Sequence, residues 1–233
     1  MIGIIGALAV EVEGLLVKMK IGDITTIGGM VFYTGEIAGK KVVVARCGVG
    51  KVNAAMCAQA MIVSFPVTGV INLGAAGAID DTLNIGDVVV ATDLVNHDVN
   101  AGSFGYLPGH VPGMESVAFP ADKQLAGLAL KAYNAAFAGG TAKAHHGRIA
   151  TGDQFIEDAA HKQQISENFV ALCVEMEGAA IAQVCYLNRI PFAAIRAISD
   201  KADGSAQANF EEFVAQAAEN SATVVMNMME EIS

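Results

Sequence analysis

The sequence predicts an α/β fold in which helices cover a mixed β-sheet, and three observations carry this. Short Val/Ile-rich runs ending near glycine are repeatedly followed by Ala-rich stretches with helical spacing, the alternation that layers strands with helices. Two strand-like runs, 31–37 and 41–45, are separated only by Ala38, Gly39 and Lys40, so part of the sheet is an antiparallel hairpin. The chain of 233 residues is 53 % hydrophobic and only 16 % charged, so it hides much of its surface in a core or in subunit contacts.

The elements follow in order. Residues 1–5 are a continuous apolar run, too short for a helix, and read as a buried strand; 10–19 is a helix, and the hairpin follows. Residues 52–79 carry no charge and have the length of a membrane span. Asn53, Gln59, Ser64, Pro66, Thr68, Gly69 and Asn72 break it, and its middle is a turn, so it divides into a helix over 52–64 and a buried strand over 67–73. A strand over 87–95 leads into a segment, 100–120, that holds most of the Gly, Pro and aromatic residues. Loops of that length in compact domains are functional or interfacial, and this one is the expected lid. Then come helices over 121–137, 158–168, 176–187 and 208–230, separated by strands over 146–150, 170–174 and 192–198. No linker, repeat or low-complexity tract divides the chain, so one domain over 1–233 is expected.

Charge and cysteine usage exclude several functions. Lys plus Arg number 14 against 24 Asp plus Glu, a net −10 with no basic block, which argues against a nucleic-acid binder. Cys47, Cys57, Cys173 and Cys185 form no CxxC pair and read as reduced core residues of a cytoplasmic protein. The N-terminus lacks the basic region of a signal peptide and soon meets Glu11 and Glu13, so a soluble, unexported chain is expected. Five histidines without a metal-ligand spacing give no support to a catalytic metal; His145 and His146 read as surface or cap residues, and His97 and Asp98 adjoin the long loop.

The glycine motifs are weak. GIIGA (3–7) lacks the spacing of a dinucleotide fingerprint, and GVGKV (48–52) lacks the upstream Gly and the hydroxyl residue of a phosphate loop. NLGAAGAI (72–79) reads as a side-chain-poor turn at a strand's carboxyl end, where α/β sheets bind ligands. Carboxylates at strand ends say more. Glu11 follows the first strand, Glu175 and Glu177 open the helix after 170–174, and Asp200 closes AAIRAISD. Glu175 could serve the helix dipole alone. Glu177 sits among small apolar residues where an unpaired carboxylate is costly, and a sugar's hydroxyls could be its partner. Asp200 could be a helix N-cap, but Arg196 lies four residues back, on the same strand face, and points to a polar cluster. Phe104, Tyr106, Phe155 and Phe210 could stack on a flat ring or belong to the core.

Taken in order, GIIGALAVEVEGLL, GVGKV, INLGAAGAI, NIGDVVVA, HDVNAGSFGY, TGDQFI, VEMEGAAIA, VPF and RAISDKAD resemble the nucleoside phosphorylase/nucleosidase superfamily, and within it the bacterial 5'-methylthioadenosine/S-adenosylhomocysteine nucleosidases. The resemblance spans nearly the whole chain; VEMEG and RAISD are its specific parts. It implies a three-layer α/β/α sandwich around a mixed, partly closed sheet. It also implies a hydrolase of methionine salvage in which water cleaves the N-glycosidic bond of a 5'-thio-substituted adenosine, with no cofactor and no metal.

Roles then follow by position in the motifs. The resemblance makes Asp200 the acid that protonates purine nitrogen 7, with Ser199 orienting it, and Glu11 the base that activates water, with Arg196 ordering that end of the site. Glu177, supported by Met176, would bind ribose hydroxyls, and Glu175 would shape the same pocket. Phe155 would stack on adenine and the Ile156 backbone read its edge. Val49, Phe210 and Leu8 would line the sugar and alkylthio side, and Phe104 would reach in from a neighbouring subunit of a homodimer. Phosphorolytic relatives carry an Arg just before the glycine turn; here Asn72 and Leu73 precede Gly74, which favours water over phosphate. Ala75 replaces the usual Ser, and Ala9 and Val10 replace acidic residues. A shifted substrate such as aminodeoxyfutalosine, another purine nucleoside, a phosphorylase of the superfamily, and a non-catalytic nucleoside binder are the competing readings.

Overall fold

The structure is a computed structural model describing residues 1–232. Strand β1 (Ile2–Gly6) is buried along its length and lies parallel between β4 (Lys40–Arg46) and β5 (Gly69–Ala78), with Ile4 opposite Val44 on one side and Ile71 on the other. The ten-residue β5 is the hub. It also pairs in parallel with β10 (Phe192–Asp200) and, at its far end, antiparallel with β9 (Cys173–Glu175). From β10 the sheet runs through β6 (Val88–Asn96) and β8 (Ala144–Thr151) to β9, and so back to β5. Five strands therefore close into a ring, while β1, β4, β3 (Met30–Ile37) and β2 (Lys20–Ile27) extend from it as an open flank.

Alternation of side chains sends each strand's residues into two cores. On one face Ile5, Val43, Ala45 and Val70 meet Ala54, Cys57 and Met61 of α2 (Lys51–Ser64) and Ala179, Ala180, Ile181 and Ala182 of α5 (Gly178–Asn188). On the other, Ile4, Val44, Ile71 and Leu73 meet α1 (Ala9–Lys18), α3 (Lys123–Ala136) and α6 (Ala206–Glu231) through Val12, Leu15, Ala129, Val225 and Met228. Strands buried on both faces read as continuous apolar runs, which is the pattern of 1–5 and, interrupted only by Arg196, of 192–198. A third cluster seats Ile165 and Phe169 of α4 (Ala159–Phe169) on Val95 and Ala150. The result is the expected three-layer sandwich around a mixed, partly closed sheet. Asp122 caps α3 by accepting from the N–H groups of Gln124 and Leu125, and Asp158 caps α4 through His161.

The departures have local causes. Strand β2 was not expected, because its mixed polar sequence is exposed on an edge and pairs only with β3. Residues 72–78 are strand and not a turn: β10 runs alongside from Gly74 opposite Arg196 to Gly77 opposite Asp200. Val170 belongs to the left-handed end of α4 (φ 52°), so β9 starts only at Cys173. His145 and His146 lie within β8 and are not caps; His146 is exposed, as expected of a surface residue, and the His145 ring is 3.2 Å from the buried Asp87 carboxylate. The segment expected as a lid contains a 3₁₀ turn, Gly102–Phe104, and a short strand β7 (Ala118–Pro120) on β6. All four cysteines are buried free thiols that burial pushes well above their ordinary pKa. No helix among the described residues is long and apolar enough to cross a membrane.

Candidate active site

The parallel strands β1, β5 and β10 end on one side of the sheet, and a cleft of about 260 Å³ opens there. Into it the fold brings Leu8, Glu11, Val49, Phe155, Ile156, Glu175, Met176, Glu177, Ser199, Asp200 and Phe210, all of them expected from the sequence. Two expected residues are elsewhere. Arg196 is 1 % exposed and sits behind the wall, and Phe104, 84 % exposed on the long loop, does not reach this chain's cleft. No residue of 100–120 lines it, so the expected lid does not cover the cleft of its own chain.

Glu11 lies in the first turn of α1, and its carboxylate turns back to cap the helix. One oxygen accepts from the N–H groups of Ala7 (2.6 Å) and Leu8 (2.9 Å), the other from Ala75 (3.1 Å). Three backbone donors thus fix a buried carboxylate that still faces the cleft. The approach requires Gly74, because a Cβ there would meet both Glu11 and Arg196. The Ala75 side chain offers no hydroxyl, but its N–H still holds Glu11.

Arg196 forms the buried centre of a second network. It donates to Glu175 and to Asn72 Oδ1 (2.6 Å), and Glu177 lies 3.8 Å away. Glu175 ends β9 and does not open a helix as the sequence suggested. It accepts from Thr151 and from the N–H groups of Glu177 (3.0 Å) and Gly178 (2.7 Å), so it caps α5 as well as pairing with the arginine. Burial lowers the guanidinium's affinity for its proton, but Glu175, Glu177 and Glu11 outweigh it and raise the pKa. Asn72 and Thr151 were missed by the sequence reading. The signal was there in Asn72, a lone amide inside an otherwise apolar strand.

Asp200 stands apart from that network. The expected Arg196–Asp200 cluster is not formed, because a β-bulge between Ile198 and Asp200 breaks the alternation and places Asp200 opposite Gly77. Its carboxyl accepts from Ser199 Oγ (2.9 Å) and the N–H of Ala202 (2.9 Å), and a Cβ on Gly77 would collide with it. Burial raises its pKa against these two hydrogen bonds, with Asp203 adding to the rise and Lys162 opposing it.

Glu177 is the N-cap residue of α5, and one of its oxygens accepts from Gly50 N–H (2.8 Å). Burial, then the charge of Glu175, raise its pKa to about 7; Arg196 and the Gly50 hydrogen bond oppose them. Gly50 is itself pinned by its neighbour: Lys51 N–H donates to Asp153 (2.7 Å), the Lys51 ammonium pairs with Asp98 (2.5 Å), and Asp98 accepts from Asp153 N–H (2.9 Å). Burial would raise the Asp98 pKa, but Lys51 and the Asp153 N–H hold it below its ordinary value. The adjacent His97 keeps Nε2 buried and, among the described residues, without a partner, and burial lowers its pKa. The apolar end of the cleft is an aromatic corner, Phe155 edge-on to Phe210 with centroids 5.7 Å apart. The sequence reading missed Gln154; the backbone wall of Ala75, Ala76 and Gly77 belongs to the 72–79 stretch expected beside a ligand, as strand and not as turn.

A carboxyl biased to keep its proton, a second carboxylate held by backbone donors and an aromatic wall are the parts that acid-assisted cleavage of a glycosidic bond requires. Fold and site together define a nucleoside-processing enzyme of the α/β sandwich class. The chain belongs to the phosphorylase superfamily, whose sequence profile matches residues 1–230, and within it to the 5'-methylthioadenosine/S-adenosylhomocysteine nucleosidase family. It is 41 % identical to the nucleosidase of that name from Staphylococcus carnosus, over the full length of both chains. It superposes with a TM-score of 0.94, at 38 % identity and 99 % coverage of each chain, on the Neisseria meningitidis nucleosidase in complex with methylthio-immucillin-A. A futalosine hydrolase mutant of Helicobacter pylori is similar at a TM-score of 0.93 and 33 % identity, with 99 % of each chain covered.

The buried pair yields a prediction. Glu175→Gln leaves Arg196 without its main countercharge in a site closed to water, and costs about 3 kcal/mol of stability. Chemical denaturation of the variant against the parent protein measures it; an unchanged midpoint removes the pair from the stability account.

Proposed function

We propose that the protein hydrolyses the N-glycosidic bond of 5'-methylthioadenosine and S-adenosylhomocysteine, releasing adenine and the thioribose. The observation that carries the reading is that Glu11, Glu177 and Asp200, from three distant parts of the chain, line one cleft. In this reading adenine stacks on Phe155 with its edge on the Ile156 backbone, and Asp200, oriented by Ser199, gives its proton to nitrogen 7. Glu177, backed by Met176, Glu175 and Arg196, accepts from the ribose hydroxyls. Leu8, Val49 and Phe210 enclose the alkylthio group. As the bond breaks, the sugar carbon becomes cationic and adenine leaves neutral; Glu11 takes the proton of the water that adds to that carbon.

Water is favoured over phosphate because no Lys or Arg is among the described residues that line the cleft, and Arg196 is already spent on Glu175 and Asn72. The whole chain, 1–233, acts as one nucleosidase domain. A homodimer is supported by exposed apolar residues on one face of α2 (Val52, Met56, Val63) together with Phe104 and Leu107 on the long loop. In such a dimer Phe104 would complete the partner's site. A cytoplasmic location fits the free thiols.

Three outcomes test this. Incubation with methylthioadenosine releases adenine at the same rate with and without inorganic phosphate; release that depends on phosphate makes the protein a phosphorylase. Asp200→Asn lowers kcat roughly 10³-fold while an uncleavable substrate analogue still binds, and a variant with parental turnover removes the acid role. The third concerns pH. Glu177 accepts sugar hydroxyls best when ionised, and its raised pKa of about 7 means that this form is lost as pH falls through 7. The kcat/KM for methylthioadenosine therefore drops on the acid side with a midpoint near 7, and Glu177→Gln gives a low profile without that limb. An acid limb that persists in the variant assigns the titration to another group.

A further inference from the structure

Methylthioadenosine ends at its methyl group, inside the apolar sleeve of Leu8, Val49 and Phe210 assigned above. The homocysteinyl nucleoside continues into an α-amino acid that carries one carboxylate and one ammonium, and leaving that pair of charges in an apolar sleeve is costly. A second groove, of about 560 Å³, begins at the same Ala7, Leu8 and Val49. It runs between the first turns of α1 and strand β3, past Val12 and Met30, and is bordered by three polar side chains: Glu13, Tyr33 and Arg46.

Their positions follow from the fold. Arg46 is the last residue of β4, opposite the side-chain-free Gly6, and Glu13 lies on the exposed side of α1 one turn beyond its start. Among the described residues neither makes an ion pair. The cations nearer the cleft are already matched, Arg196 with Glu175 and Lys51 with Asp98, and the carboxyl groups of Glu11 and Asp200 are held by backbone N–H groups. The groove thus presents one uncommitted cation and one uncommitted anion beside the point where the longer substrate leaves the sleeve.

We propose that this groove is the subsite for the amino-acid end of S-adenosylhomocysteine, with Arg46 taking the α-carboxylate, Glu13 the α-ammonium and Tyr33 flanking them. The proposal rests on the nucleosidase reading and refines it. Arg46 and Glu13 touch no reacting atom, so they set the preference between the two nucleosides and leave the chemical step to Asp200 and Glu11.

The experiment compares kcat/KM for S-adenosylhomocysteine, methylthioadenosine and 5'-butylthioadenosine, the last having a long tail without charges. In Arg46→Gln and in Glu13→Gln the ratio of homocysteinyl to methylthio substrate falls about two- to fivefold, the upper range for a solvent-open ion pair. The ratio of butylthio to methylthio substrate stays as in the parent. Both side chains are at the surface, so the variants fold. A homocysteinyl ratio within twofold of the parent in both variants overturns the subsite, as does a butylthio ratio that falls with it, because the groove then reads length and not charge. A parent enzyme that cleaves methylthioadenosine but not S-adenosylhomocysteine also overturns it; one that cleaves neither refutes the nucleosidase reading itself.

Discussion

The site depends on one interaction, the buried contact between Arg196 and Glu175. Arg196 comes from the middle of β10 and Glu175 from the end of β9, and the arginine also reaches Asn72 of β5. One guanidinium therefore joins three of the five strands that close the ring. A charge so far from water persists only with its countercharge and hydrogen bonds complete. Glu175 supplies more than charge, since it also receives the first N–H groups of α5 and so fixes the neighbouring Glu177. Packing, ring closure and the electrostatics around Glu177 meet at this pair.

Around it the backbone does work that side chains do elsewhere. Ala7, Leu8 and Ala75 hold Glu11, Ala202 holds Asp200, and Gly50 holds Glu177, each through an N–H. Main-chain donors are positioned by the fold and lose little entropy on forming these bonds. The glycines at 74 and 77 let the strands approach closely enough for the carboxyl groups to fit. This explains why a cleft with so much polar function is built from so apolar a sequence.

Much of the fold was legible because the elements that matter are buried on both faces or have clean helical spacing: β1, β10, α2 and α6 declare themselves through apolar runs, interrupted in β10 by Arg196, or periodic alanines. The edge strand β2 did not, since a strand wetted on most of its length carries no burial pattern. Residues 72–78 misled because glycine and alanine signal turns in a sequence, whereas here they mark close packing between strands. At the site, the residues carried by VEMEG, RAISD and TGDQFI were readable from their motifs. Asn72, Thr151 and the Lys51–Asp98–Asp153 ring were not, because their partners lie roughly 20 to 125 positions away in sequence and only strand pairing brings them together.

The bulge in β10 has a chemical consequence. In an unbroken strand, position 200 would follow the pleat and share a side of the sheet with the guanidinium four residues earlier. A cation so placed would favour the ionised carboxylate and pull the aspartic acid's pKa down, against the rise that burial gives it. One extra residue between Ile198 and Asp200 keeps the two apart, so that a single step of the backbone separates the Asp200 carboxyl from the Arg196–Glu175 ion pair.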